Sequence, residues 1–140
     1  MVRPVTLTLT ANPTEAELAA IGDGLTRFND GDVGPSGRQA LAVILREEEA
    51  IAGGLCGYTA WGWLYVQWLW LAESRRGMGW AGRLLETAET EARRRDCHGA
   101  YIDTFNPAAL KAYQRAGYRP FGVLPDFPRG RARTFLQKPL

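Results

Sequence analysis

The sequence predicts a mixed α/β (α+β) domain built on one central sheet, mostly antiparallel, of about six to seven strands flanked by helices. Three observations carry that reading. Stretches that alternate with period two, such as Val5-Thr6-Leu7-Thr8-Leu9-Thr10, interleave with stretches whose apolar residues recur every three or four positions. Three strand-like runs follow one another between Gln39 and Leu71 with only short turns between them, which makes them an antiparallel meander. No internal repeat, low-complexity tract or long linker interrupts the 140 residues, so residues 1–140 are expected to be a single domain.

Taken in order, the alternating Val5–Thr10 reads as a first strand. Asn12 or Thr14 then caps a helix whose stripe is Leu18, Ile21, Leu25 and Phe28. Turn residues from Asn29 to Gly37 mark a loop. Gln39–Arg46 and Ile51–Tyr58 form a hairpin around Glu47-Glu48-Glu49, and Leu64–Leu71 is the next strand. Gly79 to Arg95 turns helical, with Leu84, Leu85, Ala88 and Ala92 on one face. Its charges, Glu86, Glu89 and Glu91 early and Arg93-Arg94-Arg95 late, complement the helix dipole and read as a solvated face. Ala100–Phe105 is a short buried strand, and Pro107 opens a helix that Gly117 closes. Tyr118–Val123 and Thr134–Lys138 are the last strands.

Composition narrows the function classes. Residues 1–60 carry four arginines against eight acids, whereas residues 61–140 carry thirteen basic residues against seven acids. The basic half suits an anionic ligand, but no basic run exceeds three and none is interleaved with aromatics, so nucleic acid is not expected. No apolar run approaches the roughly 18 residues of a membrane span, and no signal peptide is read at the start. Cys56 and Cys97 fit a reduced, cytoplasmic setting, and neither sits in a pattern that suggests a nucleophile. A single histidine, His98, excludes a His-rich metal site, and no metal is expected. The tryptophans between Trp61 and Trp70 read as core and sheet-face packing.

The chemistry concentrates at Arg75-Arg76-Gly77-Met78-Gly79-Trp80-Ala81-Gly82. A glycine-rich turn opening a helix aims backbone N–H groups and the positive end of the helix dipole at one point, which suits phosphate or pyrophosphate. Gly77-x-Gly79-x-x-Gly82 also matches the dinucleotide fingerprint, with Asp103 some way downstream. Topology argues against that reading: a meander precedes the loop, and too little chain follows for the parallel half of a dinucleotide fold.

The second pattern here is Arg76-x-x-Gly79-x-Ala81, which resembles the Q/R-x-x-G-x-G/A signature of the GNAT superfamily of N-acetyltransferases. Downstream, Asn106-x-x-Ala109-x-x-x-Tyr113-x-x-x-Gly117-Tyr118 is similar to the same family's next signature, in the right order and at a compatible distance. Asn106 caps the helix and Tyr113 follows two turns later on nearly the same face.

The resemblance implies an acetyl-CoA (coenzyme A) cofactor. The amides from Arg76 through Gly77, Met78, Gly79 and Trp80 to Ala81 would hold its pyrophosphate. The strand Leu69-Trp70-Leu71 would pair with the pantetheine, and Asn106, Ala109 and Tyr113 would line the cofactor from the next helix. It implies direct attack by an amine on the thioester without an acyl-enzyme. Tyr113 is the candidate general acid for the leaving thiolate, or a group that only positions the sulfur. Many members carry proline shortly before the loop arginine; Glu73 stands there in this chain, and Glu73 and Asp103 are the candidate bases. The acceptor, a primary amine of a small molecule or peptide, is expected between about residues 28–38 and 124–133, where Asp30 and Asp32 would suit a cation. A homodimer through the final strand is compatible with the family. The competing reading is a non-catalytic acyl-CoA-binding domain on the same scaffold.

Overall fold

The computed structural model describes residues 2–140, which form two compact units, one up to Ser36 and the other over Gly37–Leu140. In the first, helix α1 (Glu15–Val33) opens with a capping box. The Thr14 hydroxyl accepts from the Glu17 amide at 3.1 Å, and the Glu17 carboxylate accepts from the Thr14 amide at 2.8 Å. The helix runs through Asn29-Asp30-Gly31, which the turn signals assign to a loop, and stops at Gly34 with φ +89°. Extending a nucleated helix costs little, so Gly31 is carried along at about 1 kcal/mol relative to alanine. Val5–Thr10 forms no strand. Alternation supplies the propensity, but a strand exists only by pairing, and no ladder among the described residues includes this segment.

The second unit holds a six-stranded sheet. Its strands are β1 (Gln39–Glu47), β2 (Ala50–Ala60), β3 (Trp63–Leu71), β4 (Gly99–Thr104), β5 (Arg119–Pro125) and β6 (Ala132–Pro139), in the order β1-β2-β3-β4-β6-β5. Every neighbouring pair is antiparallel except β3 and β4, which run parallel and are joined through helix α2 (Trp80–Arg94). Helix α3 (Pro107–Arg115) links β4 to β5. The mixed, mostly antiparallel sheet and the meander are therefore as the sequence predicts. The apolar stripe of α2 is fully used: Leu84, Leu85, Ala88 and Ala92 form one core with Leu64, Val66, Ala100, Ile102 and Leu136 of the sheet. Alternation then puts Tyr65, Tyr101 and Asp103 on the opposite face.

One charge departs from the solvated reading of α2. Glu89 is 2% exposed, because it stands four residues after Leu85 and three before Ala92 and so falls on the apolar stripe. The tryptophans divide as well. Trp63 packs edge-on to Tyr101 and His98, while Trp68 and Trp70, on the face of β3 opposite Leu69 and Leu71, are more than half exposed.

The feature that shapes the site is a fork. β3 and β4 pair only from Trp63↔Gly99 to Val66↔Ile102 and then part. On the other side of β3 the register slips between Cys56 and Gly57, so that Gln67 is an extra residue at the parting point. A bulge bends its strand and increases the local twist, which turns the end of β3 away from β4. Gly57 makes the bulge: a Cβ there would fall 1.8 Å from the Tyr65 carbonyl oxygen. Gly57→Ala is expected to cost about 1–3 kcal/mol in denaturant unfolding, since a backbone carbonyl has to move to make room. An unchanged midpoint would mean that the bulge is not held by this close approach.

Candidate active site

The residues after β3 build the candidate anion cradle. Glu73–Arg75 make a single 3-10 turn, Gly77 and Gly79 take φ of +73° and +83°, and α2 begins at Trp80. Side chains resist such φ values, so the two glycines let the chain turn back and aim the first-turn amides of α2 outward. Among the described residues no side chain caps these amides. A Cβ at Gly77, Gly79 or Gly82 would meet nothing within 4 Å, so the approach to the helix N-terminus is clear. The positive helix end and unsatisfied N–H groups fit a pyrophosphate.

The other loop residues have defined places. The Arg76 side chain donates from Nε to the Leu71 carbonyl at 2.9 Å, tying the loop to the end of β3. Arg75 is paired with Glu47 at 2.6 Å, so it is anchored to β1 rather than mobile. Met78 is 63% exposed, the Trp80 ring lies 4.2 Å beneath the Arg83 guanidinium, and Ala81 is half-buried. Leu69 and Leu71 pack on the core while Trp70 points to the other face.

On the far side of the fork, Asn106 caps α3: its Oδ1 accepts from the amides of Ala108 at 2.9 Å and Ala109 at 3.0 Å. Ala109 packs on the core, and Tyr113, two turns along, is 6% exposed. Burial, and secondarily the Asp103 charge, push the Tyr113 phenol up to about 12. Asp103 lies one residue past the last β3–β4 pair. Its Oδ1 accepts from the Tyr65 hydroxyl at 3.0 Å, and its Oδ2 accepts from Arg133 Nε at 2.8 Å and Nη2 at 2.7 Å. Tyr113 thus lies in the core on one face of the sheet, close enough to feel the charge of Asp103 on the other. Glu73 stands apart at the start of the 3-10 turn, exposed, and among the described residues its carboxylate has no hydrogen-bond or ion-pair partner.

The partners of Asp103 are what the sequence did not reveal. Tyr65 and Arg133 lie 38 and 30 residues away from it and carry no local pattern. Arg131 donates to the Phe105 carbonyl at 3.1 Å, which ties the β5–β6 loop to the end of β4 beside an open cleft of about 530 Å3 lined by Asn106, Leu110 and Asp126. Among the described residues there is no cluster that could hold a metal ion and no helix long and apolar enough to cross a membrane. Burial raises the Cys97 thiol, the opposite of an activated nucleophile.

Residues 15–118 match the model of the Acetyltransferase (GNAT) family. The chain belongs to that family. This acetyltransferase is 46% identical over 125 residues to Acetyltransferase Atu2258 of Agrobacterium fabrum, covering 89% of this chain and 90% of the relative. It is 40% identical over 95 residues to the Blasticidin-S acetyltransferase of Streptomyces morookaense, covering 67% and 70%. A crystal structure of an acetyltransferase from Agrobacterium tumefaciens superposes with a TM-score of 0.92 at 41% identity, covering 97% of this chain and all of that one. The protein is an acetyl-CoA-dependent acyltransferase. The fork, the uncapped helix N-terminus and the clear space before it fit that cofactor.

Proposed function

We propose that this acetyltransferase moves the acetyl group to a primary amine of a small molecule by direct attack in a ternary complex. The observation that carries the reading is the fork, flanked on one side by an uncapped anion-binding helix end and on the other by a buried, neutral phenol. Acetyl-CoA, when bound, supplies the acyl group as an activated thioester. The amides from Gly77 to Ala81 would hold its pyrophosphate, and backbone N–H groups of β3 beyond the fork would hydrogen-bond its arm and polarise the thioester carbonyl. Tyr113 Oη holds a proton for the leaving sulfur. A phenol raised to about 12 keeps that proton at every physiological pH.

The amine proton leaves through water to a carboxylate. Glu73 has unengaged oxygens, whereas both Asp103 oxygens already accept from Tyr65 and Arg133, which suits Asp103 to orienting the fork. The Blasticidin-S acetyltransferase at 40% identity favours a small-molecule acceptor over a peptide, and blasticidin S is the first amine to try.

The test is calorimetric titration with acetyl-CoA, followed by an acceptor screen. Gly79→Glu places a carboxylate at the helix N-terminus at a φ of +83°, and is expected to weaken acetyl-CoA binding by at least about tenfold. Glu73→Gln is expected to lower turnover more than Asp103→Asn if Glu73 takes the proton. Unchanged affinity in Gly79→Glu would move the cofactor elsewhere, and acetylation of peptides but no small amine would overturn the acceptor class.

A further inference from the structure

Glu89 is a buried carboxylate that takes no part in the proposed acyl transfer. Its side chain is 3% exposed in the middle of α2, and it is fully engaged. Oε1 accepts from Lys138 Nζ of β6 at 2.8 Å, and Oε2 accepts from the Tyr118 hydroxyl at 2.8 Å. Lys138 Nζ also donates to the carbonyl of Ala116, the C-cap of α3, at 2.9 Å. The turn it grips is the one that holds Tyr113. The Tyr113 carbonyl accepts from the amides of Ala116 at 3.1 Å and Tyr118 at 3.0 Å. Gly117, at φ +99°, lets Lys138 pass: a Cβ there would come within 3.3 Å of its Cε.

One carboxylate therefore pins three elements: α2, whose N-terminus is the anion cradle; the last turn of α3, which carries Tyr113; and β6, which pairs with β4 beside the fork. A buried ion pair adds little net stability over well-packed apolar residues, and fixing geometry is its better-attested use. We infer that Glu89, with Lys138 and Tyr118, is a positioning network that sets the Tyr113 hydroxyl against the fork; this rests on the reading of Tyr113 as the group facing the leaving sulfur. The network reaches Tyr113 through the backbone of residues 113–118.

The decisive variant replaces the network by apolar residues of similar size, Glu89→Leu with Lys138→Met and Tyr118→Phe, assayed alone and combined with Tyr113→Phe. The triple variant is expected to melt near the wild-type temperature and to bind acetyl-CoA within about twofold of wild type, because the cradle lies at the other end of α2. Its kcat is expected to fall at least about tenfold, and adding Tyr113→Phe to it is expected to cost much less than Tyr113→Phe costs alone. Wild-type kcat in the triple variant, or full additivity with Tyr113→Phe, would overturn the positioning role. A Tyr113→Phe enzyme that turns over normally would instead refute the reading of Tyr113. Should the triple variant not fold, Tyr118→Phe alone removes one hydroxyl from the network. It is expected to lower kcat about threefold with unchanged acetyl-CoA affinity, and no change in kcat would overturn the proposal.

Discussion

Tyr113→Phe is expected to lower kcat by about 10²–10⁴, the range over which a positioned general acid contributes, while leaving acetyl-CoA affinity close to wild type. The ring is 6% exposed and packs in the core, so phenylalanine preserves shape and the loss is that of one hydroxyl. A fall of less than about tenfold would assign Tyr113 to placing the sulfur and not to donating a proton. The pH dependence tests the raised value itself. With the phenol raised to about 12 by burial and by Asp103, the acid form persists to at least about pH 11. The wild-type rate should rise with pH as the acceptor amine deprotonates and then stay level, without the fall near pH 10 that an unshifted tyrosine would cause. A descending limb centred near pH 10 that Tyr113→Phe removes would contradict the raised value.

The same shift has a consequence for stability, and its sign follows from proton counting. In the unfolded chain Tyr113 titrates near pH 10, and in the folded chain near 12, so above pH 10 the folded state holds more protons. Stability is therefore lost as pH rises from about 10 towards 12, and Tyr118, raised by burial and by Glu89, adds to the loss.

What the sequence made legible was whatever depends on near neighbours along the chain. The strands of the meander, the stripe of α2, the caps at Thr14 and Asn106 and the glycine turn before Trp80 are all local patterns, and each lies where its pattern put it. Two kinds of feature were not legible. Val5–Thr10 has the right alternation, but pairing is a property of two segments and one segment cannot report it. The fork depends on Gly57 meeting Tyr65 across a ladder, and the Asp103 pairs depend on residues more than 25 positions away; neither leaves a mark at its own place in the chain. Glu89 lies between these cases. Its spacing from Leu85 and Ala92 puts it on the buried stripe, but the surrounding Glu86, Glu91 and arginines give the segment the composition of a solvated face. Position on the helix decided, and composition misled.

That burial makes Glu89→Ala the substitution with the largest expected effect on stability, about 3–5 kcal/mol in denaturant unfolding. The cost is not the lost bond itself. Lys138, with a side chain 24% exposed, keeps the Ala116 carbonyl and the Tyr118 ring but no countercharge, and the Tyr118 hydroxyl, on a residue 1% exposed, loses its acceptor. A carboxylate-sized void is added on the buried stripe between Leu85 and Ala92. Removing all three polar groups together leaves only the Ala116 carbonyl, at the half-buried C-cap of α3, without its side-chain donor, so the Leu, Met and Phe triple variant should regain most of what Glu89→Ala loses. By contrast, Glu91 is also engaged by two arginines, Arg94 and Arg95, which hold its carboxyl down to about 2, but it lies at the surface and water can replace either partner. Glu91→Ala should therefore move the unfolding midpoint far less than Glu89→Ala. Equal shifts for the two would show that the Glu89 site admits water, and that its carboxylate is not a buried charge compensated by its two donors.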